Sequence, residues 1–373
     1  MKRGTPMRRR AKRYGGIALA LLVGAAGWFY FSGGYDRWRD EKSVADACDG
    51  TVAVDEVRAL LGTDDVSGDT KHRTADRMAG DKSRDGSGPP VVCWLDGPSG
   101  YQQRAVVRME WRSQAWAPHI ESGRDPGSFT TTVPVPIGAG WQGMVNLAGD
   151  GAAATVVLDC RNTDGPRTGD SLTLFVHSWG SRPYEEAAQR VRLARFATRT
   201  AQAAAREYGC DARFGGRVRR VEPLDSGRPK YREAPPLAEA DGTCAGIKPG
   251  SVITRAHETA AERAPVEDCM LIDDKGQALF RLSSYYGTFA DDQRMKTQTG
   301  KELDSVVTKP LRTDFLFRAE AACPGSPRQA VFVVDYRDYD HDAKPQRKYA
   351  REALKQFAER SAARHGCTDV KML

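Results

Sequence analysis

The 373-residue chain has room for two or three folded units, and its 40% hydrophobic and 28% charged residues exclude a disordered tail, a fibrous repeat and a polytopic membrane protein. The formal charge of +7 suggests a nucleic-acid binder only until the cations are located. Seven of the 56 Lys and Arg, from Lys2 to Arg13, stand at the N-terminus without an acid; the rest equal the 49 Asp and Glu, so no global basic field remains for phosphate backbones.

Residues 1–14 therefore read as a basic cytoplasmic segment, and residues 15–35 as a transmembrane helix, for Gly15 to Tyr35 carry no charge. Twenty-one residues rising about 1.5 Å each span a hydrocarbon layer of roughly 30 Å. Trp28-Phe-Tyr-Phe31 sits at the distal end, where aromatic rings favour the lipid–water interface. A cleavable signal peptide is the competing reading, with Gly24-Ala25-Ala26 as its small-residue site, but the apolar run continues past it. Both readings place the rest of the chain outside the cytoplasm. Residues 36–47 follow as a juxtamembrane tether.

All eight cysteines (Cys48, Cys93, Cys160, Cys210, Cys244, Cys269, Cys323 and Cys367) lie beyond the anchor, an even count that reads as four disulfides; zinc would want CxxC pairs or clustered histidines. Their order reveals a repeat. Cys48-Asp-Gly50 leads into the helical stretch Val52–Leu61, as Cys244-Ala-Gly246 leads into Val252–Ala261. Cys93 and Cys269 each open a strand, Cys160 and Cys323 each end one, and Leu172–Trp179 matches Ala330–Tyr336. Two long Ala- and Arg-rich helices then end in Gly209-Cys210 and Gly366-Cys367, with glycine where a left-handed cap is expected.

The predicted fold is α+β: tandem domains over 48–212 and 241–373, each an antiparallel sheet of about four strands with a short N-terminal and a long C-terminal helix. A Pro- and Gly-rich linker, 213–240, joins them, with Val218 and Val221 open to forming an edge strand. Pairing in sequence (Cys48 with Cys93, Cys160 with Cys210, Cys244 with Cys269, Cys323 with Cys367) is the simplest pattern, and alternating pairing within each half is its rival.

The motifs point to little chemistry. Gly138-Ala-Gly-Trp-Gln-Gly143 has dinucleotide-loop spacing, but Val133-Pro-Val-Pro-Ile137 cannot be a central parallel strand, so it reads as a turn-rich loop. His257-Glu258 lacks a second histidine at Ala261 and reads as a helical surface pair. His177-Ser178 with Asp170 makes no convincing triad. Asp338, Asp340 and Asp342 are candidate calcium ligands, yet Ala343 and Tyr349 stand where an EF-hand needs glycine and glutamate, which favours a solvated loop. Trp111, Trp116 and Trp141, around a loop-rich segment, are candidate contacts for carbohydrate or protein, or else the filling of a small core. Arg190, Arg192, Arg195 and Arg199 form a basic stripe that is either a solvated helix face or a surface for anionic polymer or lipid. No cofactor is implied.

Forty-one arginines against fifteen lysines, with Cys93-Trp-Leu-Asp96, Val135-Pro-Ile-Gly-Ala-Gly-Trp-Gln-Gly143 and Val157-Leu-Asp-Cys160, are similar to a recurrent domain of single-pass, export-oriented membrane proteins of high-GC actinobacteria such as streptomycetes. That resemblance implies location and architecture but no reaction. The expectation is a membrane-anchored extracytoplasmic binding or sensing protein without catalysis, held by its N-terminal helix, with an envelope protein or wall polymer and no nucleic acid as partner. The alternative is an envelope hydrolase or metal-dependent enzyme with its site between the repeats. A cleft gathering His, Asp or Ser at the boundary favours the enzyme; a sheet or groove lined with aromatics favours binding.

Overall fold

The computed structural model describes residues 21, 23–24, 27–28, 30–69, 91–112, 133–148, 151–162, 169–180, 184–224, 231–299, 315–324, 329–336 and 346–373. The basic segment 1–14 lies outside them, as does much of the expected membrane span. Among the described residues no helix is long and apolar enough to cross a membrane. Leu21, Val23, Trp28, Tyr30 and Phe31 are helical and exposed.

The expected tether is a helix, α1 (Gly34–Ala47). Asp40, Val44 and Ala47 are spaced to share one face and are buried. The Asp40 carboxylate accepts the Val66 backbone N–H at 3.3 Å, seating the helix on the sheet edge. Helix α2 (Val54–Leu61) follows as expected, burying Val57, Leu60 and Leu61 and ending at Gly62 with φ 69°.

The first sheet contains β1 (Ser67–Asp69), β2 (Val91–Gly97), β3 (Gly100–Arg112), β4 (Val135–Pro136), β5 (Gly143–Ala148), β6 (Gly151–Asn162) and β7 (Gly169–Gly180), followed by helix α3 (Ala187–Glu207). The second contains β8 (Ile253–Glu258), β9 (Val266–Asp273), β10 (Ala278–Tyr285), β11 (Phe315–Ala322), β12 (Gln329–Tyr336) and β13 (Thr368–Met372), with α4 (Thr288–Thr299) and α5 (Arg347–His365) between strands. Pairing is antiparallel throughout, in the orders β1-β2-β3-β7-β6-β5-β4 and β13-β11-β12-β10-β9-β8.

Within those orders the duplication is visible. The four strands β2-β3-β7-β6 correspond to β9-β10-β12-β11, and α3 to α5. Flanking strands then widen the sheets to seven and six rather than about four. The expected α-helix over Val252–Ala261 is not formed: that stretch holds β8, so His257 and Glu258 belong to a strand. A register shift between Ile253 and Arg255 explains the difference. The bulge leaves Ile253 and Ala256 buried three residues apart, which imitates helical spacing in a strand.

Each long helix covers one face of its own sheet. Leu193, Phe196, Ala197 and Ala201 of α3 meet Leu95, Val107, Val156 and Leu174, while Leu354, Phe357 and Ala358 of α5 meet Leu271, Leu282, Phe332 and Val334. The opposite sheet faces meet each other. Met144, Val157 and Phe175 pack with Val266, Tyr285, Phe289, Val331 and Val333 in one buried cluster. A hydrogen bond between the Thr173 and Thr288 hydroxyls, 3.1 Å, crosses the same contact. The tandem units thus share an apolar interior in helix–sheet–sheet–helix layers.

Three bridges follow the sequential pattern: Cys48–Cys93, Cys244–Cys269 and Cys323–Cys367. Cys210 is disulfide-bonded too, and the Cys160 side chain lies outside the described residues. Cys323–Cys367 joins β11 to the end of α5 across 44 residues. A loop of that length stabilises by about 4 kcal/mol in the chain-entropy account. Replacing both cysteines with serine is expected to lower unfolding free energy by about that amount in urea titrations, and an unchanged midpoint would contradict it.

Candidate functional site

Strand alternation divides the first sheet into two chemistries. Cys93 and Leu95 of β2 and Val176 of β7 point towards α3. Trp94, Asp96, His177 and Trp179 therefore take the other face. On β3, Arg104 opposes Asp96 on one side and Trp179 on the other, while Val106 opposes Trp94 and His177. Three strands thereby bring one set of side chains together.

The Trp94 and Trp179 rings are parallel to within 9°, with centroids 5.8 Å apart. Tyr101 stands 5.9 Å from Trp179, and His177 lies 3.9 Å from it, ring centre to ring centre. The Arg104 guanidinium lies 5.4 Å from the Trp94 ring centre. It donates through Nε and Nη2 to the two Asp96 oxygens at 2.5 and 3.2 Å. That hydrogen-bonded pair raises Arg104 above its ordinary value against the opposing effect of burial, so the cation persists across physiological pH. Tyr101 is 55% exposed, and both tryptophans are half-buried. Contact with the second sheet ends at Phe175 and Ala153; His177, two residues beyond Phe175, begins the part left partly open.

The expected tryptophans lie elsewhere. Trp141 is only 2% exposed, and its indole N–H donates to the Gly216 carbonyl at 2.8 Å. The Gly216 N–H returns a 2.7 Å bond to Ala139. Gly138, Ala139 and Gly140 all have positive φ, so the segment with dinucleotide-loop spacing is a turn that grips the start of the linker. Gly215 lies flat on the indole; a Cβ there would fall 2.4 Å from Trp141 Cδ1. Gly215→Ala is expected to cost about 1–3 kcal/mol, read as a lower Tm. Trp111 pairs with Leu172 through its backbone, but its side chain lies outside the described residues, as do Trp116, Asp338, Asp340 and Asp342. Among the described residues no group of acids, histidines or cysteines could hold a metal ion.

Two members of the basic stripe are structural. Arg190 is buried and donates to the Val221 carbonyl at 3.2 Å, and Arg195 to the Val218 carbonyl at 2.8 Å. Val218 and Val221 are buried in the first core without forming a strand, so the expected linker begins as part of the first unit.

The boundary between the units holds a cavity of about 370 Å³, between the Gly138–Trp141 turn and Glu262, Arg263 and Arg364. Among the described residues no hydroxyl, thiol or imidazole lines it. Behind Arg364 lies a buried network centred on Glu267. One carboxylate oxygen accepts from Ser284, Ser361 and Arg364 at 3.1, 2.6 and 2.8 Å; the other accepts from His365 at 2.7 Å. Tyr286 stacks on His365, with ring centres 3.5 Å apart, and shares a 2.6 Å hydrogen bond with Ser361. Burial pushes the Glu267 carboxyl up, but hydrogen bonding and charge from His365, then Arg364 and Ser361, hold it below its ordinary value. Burial drives the Tyr286 phenol well above its own.

In a nucleophilic triad the histidine stands between serine and acid. Here serine and histidine both address the acid, so no imidazole stands against the hydroxyl as in a triad, and the network ties α5 to β9 and β10.

No protein family, curated protein or solved structure matches this chain.

The aromatic face escaped sequence reading because its members come from β2, β3 and β7, joined only by register. Alternation within Cys93-Trp-Leu-Asp96 is the one local signal that marked Trp94 as facing away from the core.

Proposed function

We propose that the chain is a membrane-anchored, extracytoplasmic, non-catalytic binding protein of the cell envelope, and that the β2–β3–β7 face is its recognition surface. The carrying observation is the set Trp94, Trp179 and Tyr101, stacked yet partly exposed on a sheet whose other face is buried. Large aromatic groups left at a surface beside polar residues mark interaction sites. Anchoring is supported by seven leading cations, the uncharged run to Tyr35 and the exposed apolar helical positions from Leu21 to Phe31. Oxidised cysteines support export.

The test is a photo-crosslinking residue at Tyr101 of the full chain in its own membrane, compared with one at exposed Glu352 on α5. The expected result is an envelope adduct at Tyr101 alone, lost when Trp94 and Trp179 become alanine. Equal adducts at both positions, or adducts indifferent to the tryptophans, would overturn the assignment.

A further inference from the structure

Helix α1 joins the uncharged N-terminal run to the first unit without slack. That run ends at Tyr35, and α1 begins at Gly34. From there the helix is fixed to the sheet edge: Val44 and Ala47 enter the first core, and the Ser43 hydroxyl accepts the Gly68 N–H at 3.2 Å, beside the Asp40 bond to Val66. Cys48, next after the helix, is bridged to Cys93. On the opposite face of α1, at 3.6 residues per turn, stand Tyr35, Trp38 and Lys42. All three are exposed, Tyr35 by 40% and Trp38 by 52%. They form one patch, for the Tyr35 ring lies 6.0 Å and the Lys42 ammonium 5.5 Å from the Trp38 ring centre. Two of the exposed acids on α1 are engaged, Asp36 with Arg39 at 3.3 Å and Glu41 with Arg58 at 3.5 Å; Asp46 stands a turn beyond Lys42.

We infer that α1 lies along the outer membrane surface, with Tyr35 and Trp38 at the level of the lipid headgroups and Lys42 against their phosphates, so that the first unit rests on the bilayer. This rests on the anchored reading proposed above and adds a second, surface contact to it. Tyrosine and tryptophan prefer the lipid–water interface, where a lysine beside them meets phosphate oxygens. The patch is continuous with the aromatic end of the uncharged run, since the Tyr30 ring lies 5.7 Å from both Phe31 and Tyr35. Gly33 supplies the turn. Its φ is 76° and the space beside its Cα is open, so the left-handed backbone alone calls for glycine. Helical structure stops at Ser32 and Gly33 and resumes at Gly34, which frees α1 from the axis of the span. Pointing straight out, α1 would carry Lys42 about 14 Å past Gly33, through a headgroup layer of roughly 5–8 Å; lying flat keeps the whole patch within that layer.

The experiment places a photo-crosslinking residue at Val23, Trp38 or Glu352 of the full chain, held in nanodiscs of phosphatidylethanolamine and phosphatidylglycerol that carry a labelled phospholipid. Lipid adducts are expected at Val23 and Trp38 and not at Glu352. Tyr35→Ser combined with Lys42→Glu should lower the Trp38 yield about threefold or more while leaving the Val23 yield unchanged. Both positions are exposed, and the Tm of that variant shows that the fold survives. An unchanged Trp38 yield would mean that the patch does not hold the helix to lipid, and would overturn the inference. A chain-to-chain adduct at Trp38 in place of lipid gives the patch to a second copy and overturns it too. Lipid adducts at Val23 with none at Trp38 remove the surface contact and leave the anchor standing, whereas none at Val23 removes both.

Discussion

Glu267→Ala is expected to destabilise the protein by about 3–5 kcal/mol, the usual cost of removing one partner from a buried ionic network. Against a typical total of about 5–15 kcal/mol, that is a large fraction of the fold. The carboxylate is wholly buried and is the shared acceptor for Ser284, Ser361, Arg364 and His365. Without it Arg364 loses its counter-charge, and Ser361 retains only Tyr286 and Ser284. The helix face that α5 lays on β9 and β10 is therefore the part to loosen first. Glu267→Gln keeps the shape and two hydrogen-bonding groups, so it should cost less than alanine. It should also change the acid limb of the stability curve. The folded carboxyl sits below its ordinary 4.5, so its stabilisation is complete above pH 4.5 and disappears as pH falls through the depressed folded value. Thermal melts from pH 7 to 2.5 should show that step in the native protein and not in Glu267→Gln. Identical acid limbs would show that the network does not hold the charge.

The duplication was legible because disulfide-bonded cysteines punctuate both copies at the same places, and the left-handed glycines before Cys210 and Cys367 fix where each long helix ends. Features decided by long-range pairing were not. Helix α1 has a mostly polar sequence, and its burial depends on a sheet edge more than twenty residues away, reached through Asp40 and Val66. Arg190 and Arg195 look like a solvated stripe by spacing alone; their partners, Val221 and Val218, lie 31 and 23 residues on. The tryptophans show the same division. Trp141 stands in a loop-rich stretch that left both a recognition surface and a core open, and a glycine-lined segment covers it. Trp94 stands between apolar neighbours in its strand, and alternation turns it away from the face that α3 covers. Local composition settled neither, since which face of a sheet is covered is a property of the whole fold.

The sheet-to-sheet contact makes the second large prediction, centred on Arg281. Its side chain is 4% exposed and that of Asp268 is 1% exposed; Nη2 and Nε of the arginine meet the two carboxylate oxygens at 3.0 and 3.3 Å, and Ser283 donates to the same carboxylate at 2.6 Å. Burial opposes the Arg281 charge most, but the charge and hydrogen bonds of Asp268 together with Tyr285 and Asp335 raise the guanidinium above its ordinary range. Arg281 and Ser283 lie on the β10 face that also carries Tyr285, the face turned towards the first sheet. Arg281→Ala takes the guanidinium away from two buried carboxylates, Asp268 and the cross-strand Asp335, and should cost about 3–5 kcal/mol in urea unfolding. Arg281→Met combined with Asp268→Leu removes the bidentate pair while keeping volume, and should recover part of that loss, because an apolar replacement escapes the desolvation both ions suffer while the Asp335 carboxylate stays buried beside it. A double variant as unstable as the single one would mean that the pair positions the sheets through geometry that methionine and leucine cannot replace. The same contact governs cooperativity. Since Phe175 and Val157 of one unit share a buried cluster with Val331 and Val333 of the other, calorimetry of the native chain should show one unfolding transition. Arg281→Ala, by weakening the second sheet at that contact, is where a second transition should first separate.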